Sequence, residues 1–340
     1  MLLECILLGC SDRYMGNDNI DTIKGEKIKM VRLADLSRGG MDNINGFIKC
    51  GDKLVVGTTF SAEGIARTLD LNNPEQENLS AKGRFSSGRL RSLSSFCSFD
   101  GFSVTALDFE KGELIECAVS PLARGESQEF VIHLPKGQQH LIAVKAKDFV
   151  VSTGFYEEGR YLLYSLVDGS ARYFLSYPNH PDYPDLQEKT KAMLYASSIL
   201  RVRPDQSAFV CADMYSGVID FCRITADSIE RVKMIRLHYP KVEIMETPSP
   251  RVAYYRDNRF GFSDIAVTEG KVYALYSGKS YQEAGGQVSG GQTLLVYDWE
   301  GNLVKSCSLE EPLTNMSYDW SEKEIYGITS NGKLIKICLE

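Results

Sequence analysis

Short runs of alternating apolar and polar residues recur along almost the whole chain. Most are separated by a glycine-centred pair, such as Gly51-Asp52, Asp100-Gly101, Lys111-Gly112, Asp168-Gly169, Glu269-Gly270, Glu300-Gly301 and Asn331-Gly332. A period of two places successive side chains on opposite faces of a strand, and a tight hairpin needs the positive φ that glycine adopts without a Cβ penalty. The pattern therefore predicts a long series of antiparallel hairpins. The predicted strands group in quartets that begin at residues 43, 90, 141, 193, 261 and 313. A four-stranded unit recurring about every fifty residues is the signature of a β-propeller blade.

The last group holds only three strands, spanning residues 314–319, 324–328 and 333–338. The missing one is expected from the run Gly25 to Leu33, which precedes the first quartet and can pair beside Lys333–Cys338. Such pairing closes the ring and removes exposed strand edges. The expected fold is all-β: one six-bladed propeller over residues 23–340, preceded by a polar start over 1–22. Two segments break the rhythm. Residues 239–260 form a long link between the fourth and fifth blades, and the glycine-rich stretch 277–292 interrupts the fifth. A helical turn or two is expected only within 185–196.

Composition narrows the function classes. The 340 residues are 43% hydrophobic and 24% charged, with a net charge of -7 and no cluster of Lys and Arg. That balance disfavours nucleic acid and a polybasic membrane patch. The nine cysteines show no Cys-x-x-Cys pair or metal-type spacing, and most fall inside predicted strands as small buried hydrophobes. The run Leu7-Leu8-Gly9-Cys10 is like a bacterial lipobox, followed by a polar, acidic stretch from Ser11 to Asp21. Lipidation at Cys10 is the expectation if a basic, apolar leader lies upstream of Met1, and a cytoplasmic location otherwise.

Pro204-Asp205-Gln206 resembles the Pro-Asp-Gly hairpin of TolB-type blades, with Gln in the Gly place. Ala253-Tyr254, Phe262 to Ala266, Val272 to Lys279 and Leu295 to Asn302 resemble the C-terminal part of a TolB-like six-bladed propeller family of Bacteroides-type bacteria. The resemblance extends from Gly25 onward and is tightest between Ala253 and Asn302. It implies a predicted lipoprotein of the cell envelope in a family largely of unknown function; the regular blades, with no assembled nucleophile, base or metal motif, point to a non-catalytic binding or scaffold role toward a protein or glycan.

No catalytic motif assembles. The four histidines, His133, His140, His180 and His238, form no metal or base pattern. There is no Gly-x-Ser-x-Gly elbow, and Ser277-Gly278-Lys279-Ser280 lacks the earlier glycine of a phosphate loop. Asn17 to Asp21 lacks the Gly and Glu of a calcium loop. Two candidate sites remain. The long link carries tyrosines and arginines, the types enriched in binding hot spots, and points to partner binding by Arg256, Arg259, Tyr276 and Lys279. The alternative is a calcium-dependent hydrolase or lactonase at the channel mouth, with Asn43, Asn45, Asp264 and Asp319 as oxygen ligands. No cofactor is expected on the first reading.

Overall fold

The computed structural model describes residues 25–36, 44–58, 66–72, 79–80, 92–120, 129–246, 250–285 and 290–339. Cys10, Asn43 and the whole polar start lie outside them. Two strands open the described chain, β1 (Glu26–Lys27) and β2 (Met30–Asp35). Blade one follows with β3 (Ile44–Cys50), β4 (Lys53–Thr58), β5 (Ala66–Asp70) and β6 (Leu79–Ser80). Blade two has β7 (Leu93–Cys97), β8 (Ser103–Asp108), β9 (Glu113–Ala118) and β10 (Glu129–His133). Blade three has β11 (His140–Ala146), β12 (Phe149–Gly154), β13 (Tyr161–Ser165) and β14 (Ala171–Phe174).

A helix, α1 (Glu188–Leu194), leads into blade four, made of β15 (Ser198–Val202), β16 (Ala208–Asp213), β17 (Val218–Ile224) and β18 (Ile229–Arg236). The long link folds into a hairpin of its own, β19 (Val242–Met245) against β20 (Arg251–Tyr254). Then come β21 (Phe262–Val267), β22 (Val272–Tyr276), β23 (Gly291–Tyr297), β24 (Leu303–Asp319), β25 (Glu324–Thr329) and β26 (Lys333–Ile337). The first four blades are separate four-stranded sheets, whereas the last two share one eight-stranded sheet. They share it because β24 runs unbroken from the outer edge of blade five to the inner edge of blade six.

The chain closes as its pattern predicts. β2 pairs antiparallel with β26, Met30 opposite Ile337 and Arg32 opposite Ile335, and supplies the sixth blade's outer strand. Just before it, β1 lies parallel to the first half of β24, so the N-terminal segment stitches both of the last blades. The innermost strands touch in cyclic order, β3 to β7, β11, β15, β21, β24 and back to β3.

Blades stack face to face, so the second strand of each is covered on both sides and reads as a continuous apolar run. All six residues of β16 are buried, while the outer strand β18 alternates. An apolar cluster fills each of the six interfaces between blades. Ile48 and Val55 meet Phe96 and Val104; Leu107 and Leu114 meet Ala143 and Val150. Val151 and Leu163 meet Leu200 and Phe209, and Phe221 meets Ile265 and Tyr297. Leu275 and Leu294 meet Met316 and Ile325, and Phe47 and Val56 meet Tyr326 and Leu334. Each fully buried aliphatic side chain contributes about 1.5–3 kcal/mol, so these clusters outweigh any single ion pair.

Polar contacts also tie neighbouring blades together. Between blades three and four, Arg160 is fully buried and its Nη2 donates to Asp213 at 2.8 Å. Asp213 also accepts from Ser198 and Ser216, and Asp220 accepts from Tyr161 and, bidentately, from Arg231. At the closing seam, Lys49 of blade one reaches Asp319 at 3.1 Å and Glu322 at 2.5 Å on blade six.

Burial favours the neutral form of Asp319, but the Ser321 hydroxyl, the Glu322 amide and Lys49 together hold its pKa below the ordinary 3.8. Lys49 and Tyr326 likewise lower Glu322 from 4.5. A lowered folded-state pKa gives stability that is present above the unfolded value and lost as pH falls through the folded one. The seam is therefore expected to hold fully above about pH 5 and to weaken below about pH 4. Lys49→Met should cost about 1–3 kcal/mol in urea unfolding at neutral pH and flatten the acid limb of the stability profile. An unchanged acid limb would refute that role. Arg160→Ala, which strands Asp213, should cost about 3–5 kcal/mol; a loss below about 1 kcal/mol would show that the network contributes little.

Candidate functional site at the channel mouth

The innermost strands of all six blades line one cavity of about 450 Å3, the wide end of the central channel. Five of these strands carry a register break at the same place in the blade, at Asn45, Ser94, Leu141, Ser263 and Thr314. Every one of those residues lines the cavity. A bulge inserts one unpaired residue, bends the strand and re-aims a side chain. Repeated around the ring, it turns a row of small polar groups inward at this mouth. Asn45 donates to the Leu93 carbonyl, Ser263 to Leu275 and Thr314 to Ile328. The buried Ser94 hydroxyl has no partner among the described residues.

Arg201 and Asp264 form the floor, 2.7 Å apart. The guanidinium also donates to the Ile265 and Leu200 carbonyls, and Asp264 accepts the amides of Ile265 and Met316 at 2.8 Å each. Burial pushes the Asp264 carboxyl above its ordinary value, and Arg201 pulls it back. Beyond this pair the channel narrows to a void of about 20 Å3 that Arg201 also lines.

The three proposed calcium ligands among the described residues do not come together. Asn43 lies outside the described residues. Asn45 and Asp264 line the wide end, with Asp264 already held by a guanidinium and two amides. Asp319 is three residues past Met316 on β24, about 10 Å along the strand, and pairs with Lys49. A calcium ion takes six to eight oxygens around one point, so these side chains do not fit one ion as they stand.

The partner-binding set also divides. Tyr276 is buried, packs against Phe262 and bonds His238 Nδ1 through its hydroxyl at 3.2 Å. Burial is the main force lowering the pKa of that histidine. Arg259 donates to the Gly278 carbonyl and pairs with Glu283, and Lys279 reaches Gln292. These three residues pin the link to blade five. Arg256 is exposed and has no side-chain partner among the described residues.

Arg256 stands in a groove of about 320 Å3 with Tyr215, Tyr254, Tyr255, Phe260 and Tyr281. Tyr215 stacks on Tyr254 at 4.7 Å. Asn258 fixes the loop by accepting from the Lys241 amide and donating to the Tyr215 carbonyl. A second hollow of about 260 Å3 shares Tyr215 and Phe260 with this groove, and Met214, Ser263 and Gly290 with the channel mouth. Gly261 lies in its wall, where a Cβ would sit 1.7 Å from the Ser216 carbonyl oxygen. The three hollows are neighbours, with the middle one sharing walls with the aromatic groove on one side and the channel mouth on the other.

Sequence reasoning missed Tyr215, Tyr281 and the bulged positions other than Asn45. The small polar residues near the start of each quartet, Asn45, Ser94, Ser263 and Thr314, carry a readable signal once the quartets are superposed.

One similar solved structure is a member of the DUF4221 family from Bacteroides vulgatus, at 11% identity and a TM-score of 0.52, covering 94% of this chain and 97% of that one. Another is the β-propeller domain of Cps50 (Swd1) from Myceliophteria thermophila, at 12% identity and a TM-score of 0.42, covering 92% and 98%. No curated protein matches the sequence. The model of the TolB-like 6-blade propeller-like family matches residues 106–320, so this chain belongs to that family.

Proposed function

We propose that this protein is a non-catalytic binding or scaffold protein of the bacterial cell envelope, tethered by lipid at Cys10, that recognises a protein or glycan through the channel-mouth face. The observation that carries this reading is the exposed tyrosine groove around Arg256, set beside the channel mouth and separated from it by a hollow that shares walls with both. Recognition sites combine aromatic surface with a few directional polar groups, and this face offers Tyr255, Tyr281, Arg256 and Ser94. Three of the four histidines support a role without acid–base chemistry, while His133 stands exposed beside Glu113. His140 bonds Tyr156 and Pro135, His180 bonds Pro240, and His238 bonds Tyr276 and Arg259, all as structural ties. The lipobox-like start supports the tether.

Two outcomes are expected. Immobilised protein incubated with envelope extract should retain a partner that the Tyr255→Ala/Arg256→Ala double variant does not. Equal retention by both forms would count against this face. In cells expressing the full gene, an alkyne fatty acid should label the wild type and spare Cys10→Ser. Labelling of neither form would remove the tether.

A further inference from the structure

We infer that the groove beside the channel mouth takes an acidic oligosaccharide, a linear chain of sugar rings bearing a carboxylate that Arg256 reads. The inference rests on the proposed binding role of this face and narrows it to a ligand class. Four observations lead to it.

The first is aromatic surface. Tyr255 and Tyr281 are half exposed at 50% and 44%, at the edge of a stack formed by Tyr215, Tyr254 and Phe260. The C–H bonds on a sugar ring's face suit the negative face of an aromatic ring. The second is charge. Arg256 is the one charged residue lining the groove, and no acid among the described residues neutralises it. A planar guanidinium donates to a carboxylate with two parallel bonds, in a protein whose net charge of -7 otherwise repels anions.

The third is the supply of hydroxyl partners. The hydroxyls of Tyr215, Tyr255 and Tyr281 have no partner among the described residues, so three hydroxyls of the groove are open to a sugar. The fourth separates a sugar from a peptide. A peptide that adds as a strand takes its hydrogen bonds from an open backbone edge. Here the amides of three lining residues, Tyr255, Asn258 and Phe260, are already bonded to carbonyls within the fold, which shortens the backbone open to a peptide strand. The groove presents side chains and ring faces instead.

The test is calorimetric titration of the purified protein with tetrasaccharides of galacturonate, of mannuronate and of the hyaluronan repeat. Each is paired with its carboxyl-reduced neutral form, and a tetraglutamate peptide serves as a further probe. At least one acidic sugar should bind on the order of tenfold more tightly than its neutral form, and Arg256→Gln should abolish that preference. Tyr255→Ala should weaken acidic and neutral forms alike. Both side chains are exposed, and unchanged melting curves would confirm intact folds. Binding by none of the sugars, equal binding of acidic and neutral forms, tighter binding of the peptide, or an unaffected preference in Arg256→Gln would each overturn the inference. If the sugars fail while the face still retains an envelope protein, the ligand class falls and the binding role stands. If both fail, both fall.

Discussion

Everything in this molecule depends on apolar burial between neighbouring blades. A single four-stranded sheet has two faces to cover, and here each face is covered by the next sheet around the ring. That requirement is cyclic. If the sixth interface were open, Phe47, Leu54, Val56, Tyr326, Ile328 and Leu334 would lose their cover together. The N-terminal segment meets the requirement by supplying the last blade's outer strand, and Lys49 adds a charged tie across the same seam. The channel follows from the packing, because six sheets around an axis leave their innermost strands facing one another.

The candidate site grows from that frame through two departures from regularity. Bulges near the start of five inner strands widen one end of the channel and line it with small polar groups, while the Arg201–Asp264 pair floors it. The link between blades four and five folds into a hairpin above α1, sealed by Tyr177, Leu194, Tyr195 and Val242, with Val252 and Tyr254 packed alongside. The following loop carries Tyr255 and Arg256 beside the mouth. Rigid blades thus hold a loop-built recognition surface, the common division of labour between scaffold and loop.

Much of the fold was legible because period two and glycine turns are local signals. Gly51, Gly101, Gly112, Gly169, Gly301 and Gly332 all have positive φ, and the closing strand pairs where the incomplete last quartet predicts. Gln206, standing in a glycine place, adopts φ 62° and offers its side-chain oxygen to the Lys147 amide of blade three, so a glycine position gains a tie between blades. Two features were hidden by proline. Pro312 suggests a break between strands, yet it falls in a part of β24 with no register partner in β23 or β25, where no ladder bond is demanded of it. Pro248 and Pro250 masked the hairpin of β19 and β20, whose strands are only four residues long. The groove was illegible for a different reason. Tyr215 lies in the turn after β16 and Tyr254 ends β20, and only tertiary packing stacks them. The same packing takes Tyr276 inside, where alternation alone could not place it.

Amide hydrogen exchange across the closing strand tests the central claim most directly. A closed ring predicts that the amides of Met30 to Asp35 that bond to β26 exchange as slowly as those of β26 and open in the same cooperative event. Exchange of these β2 amides at the rate of a free peptide, with β26 still protected, would contradict closure and remove the basis for the channel mouth as a built site.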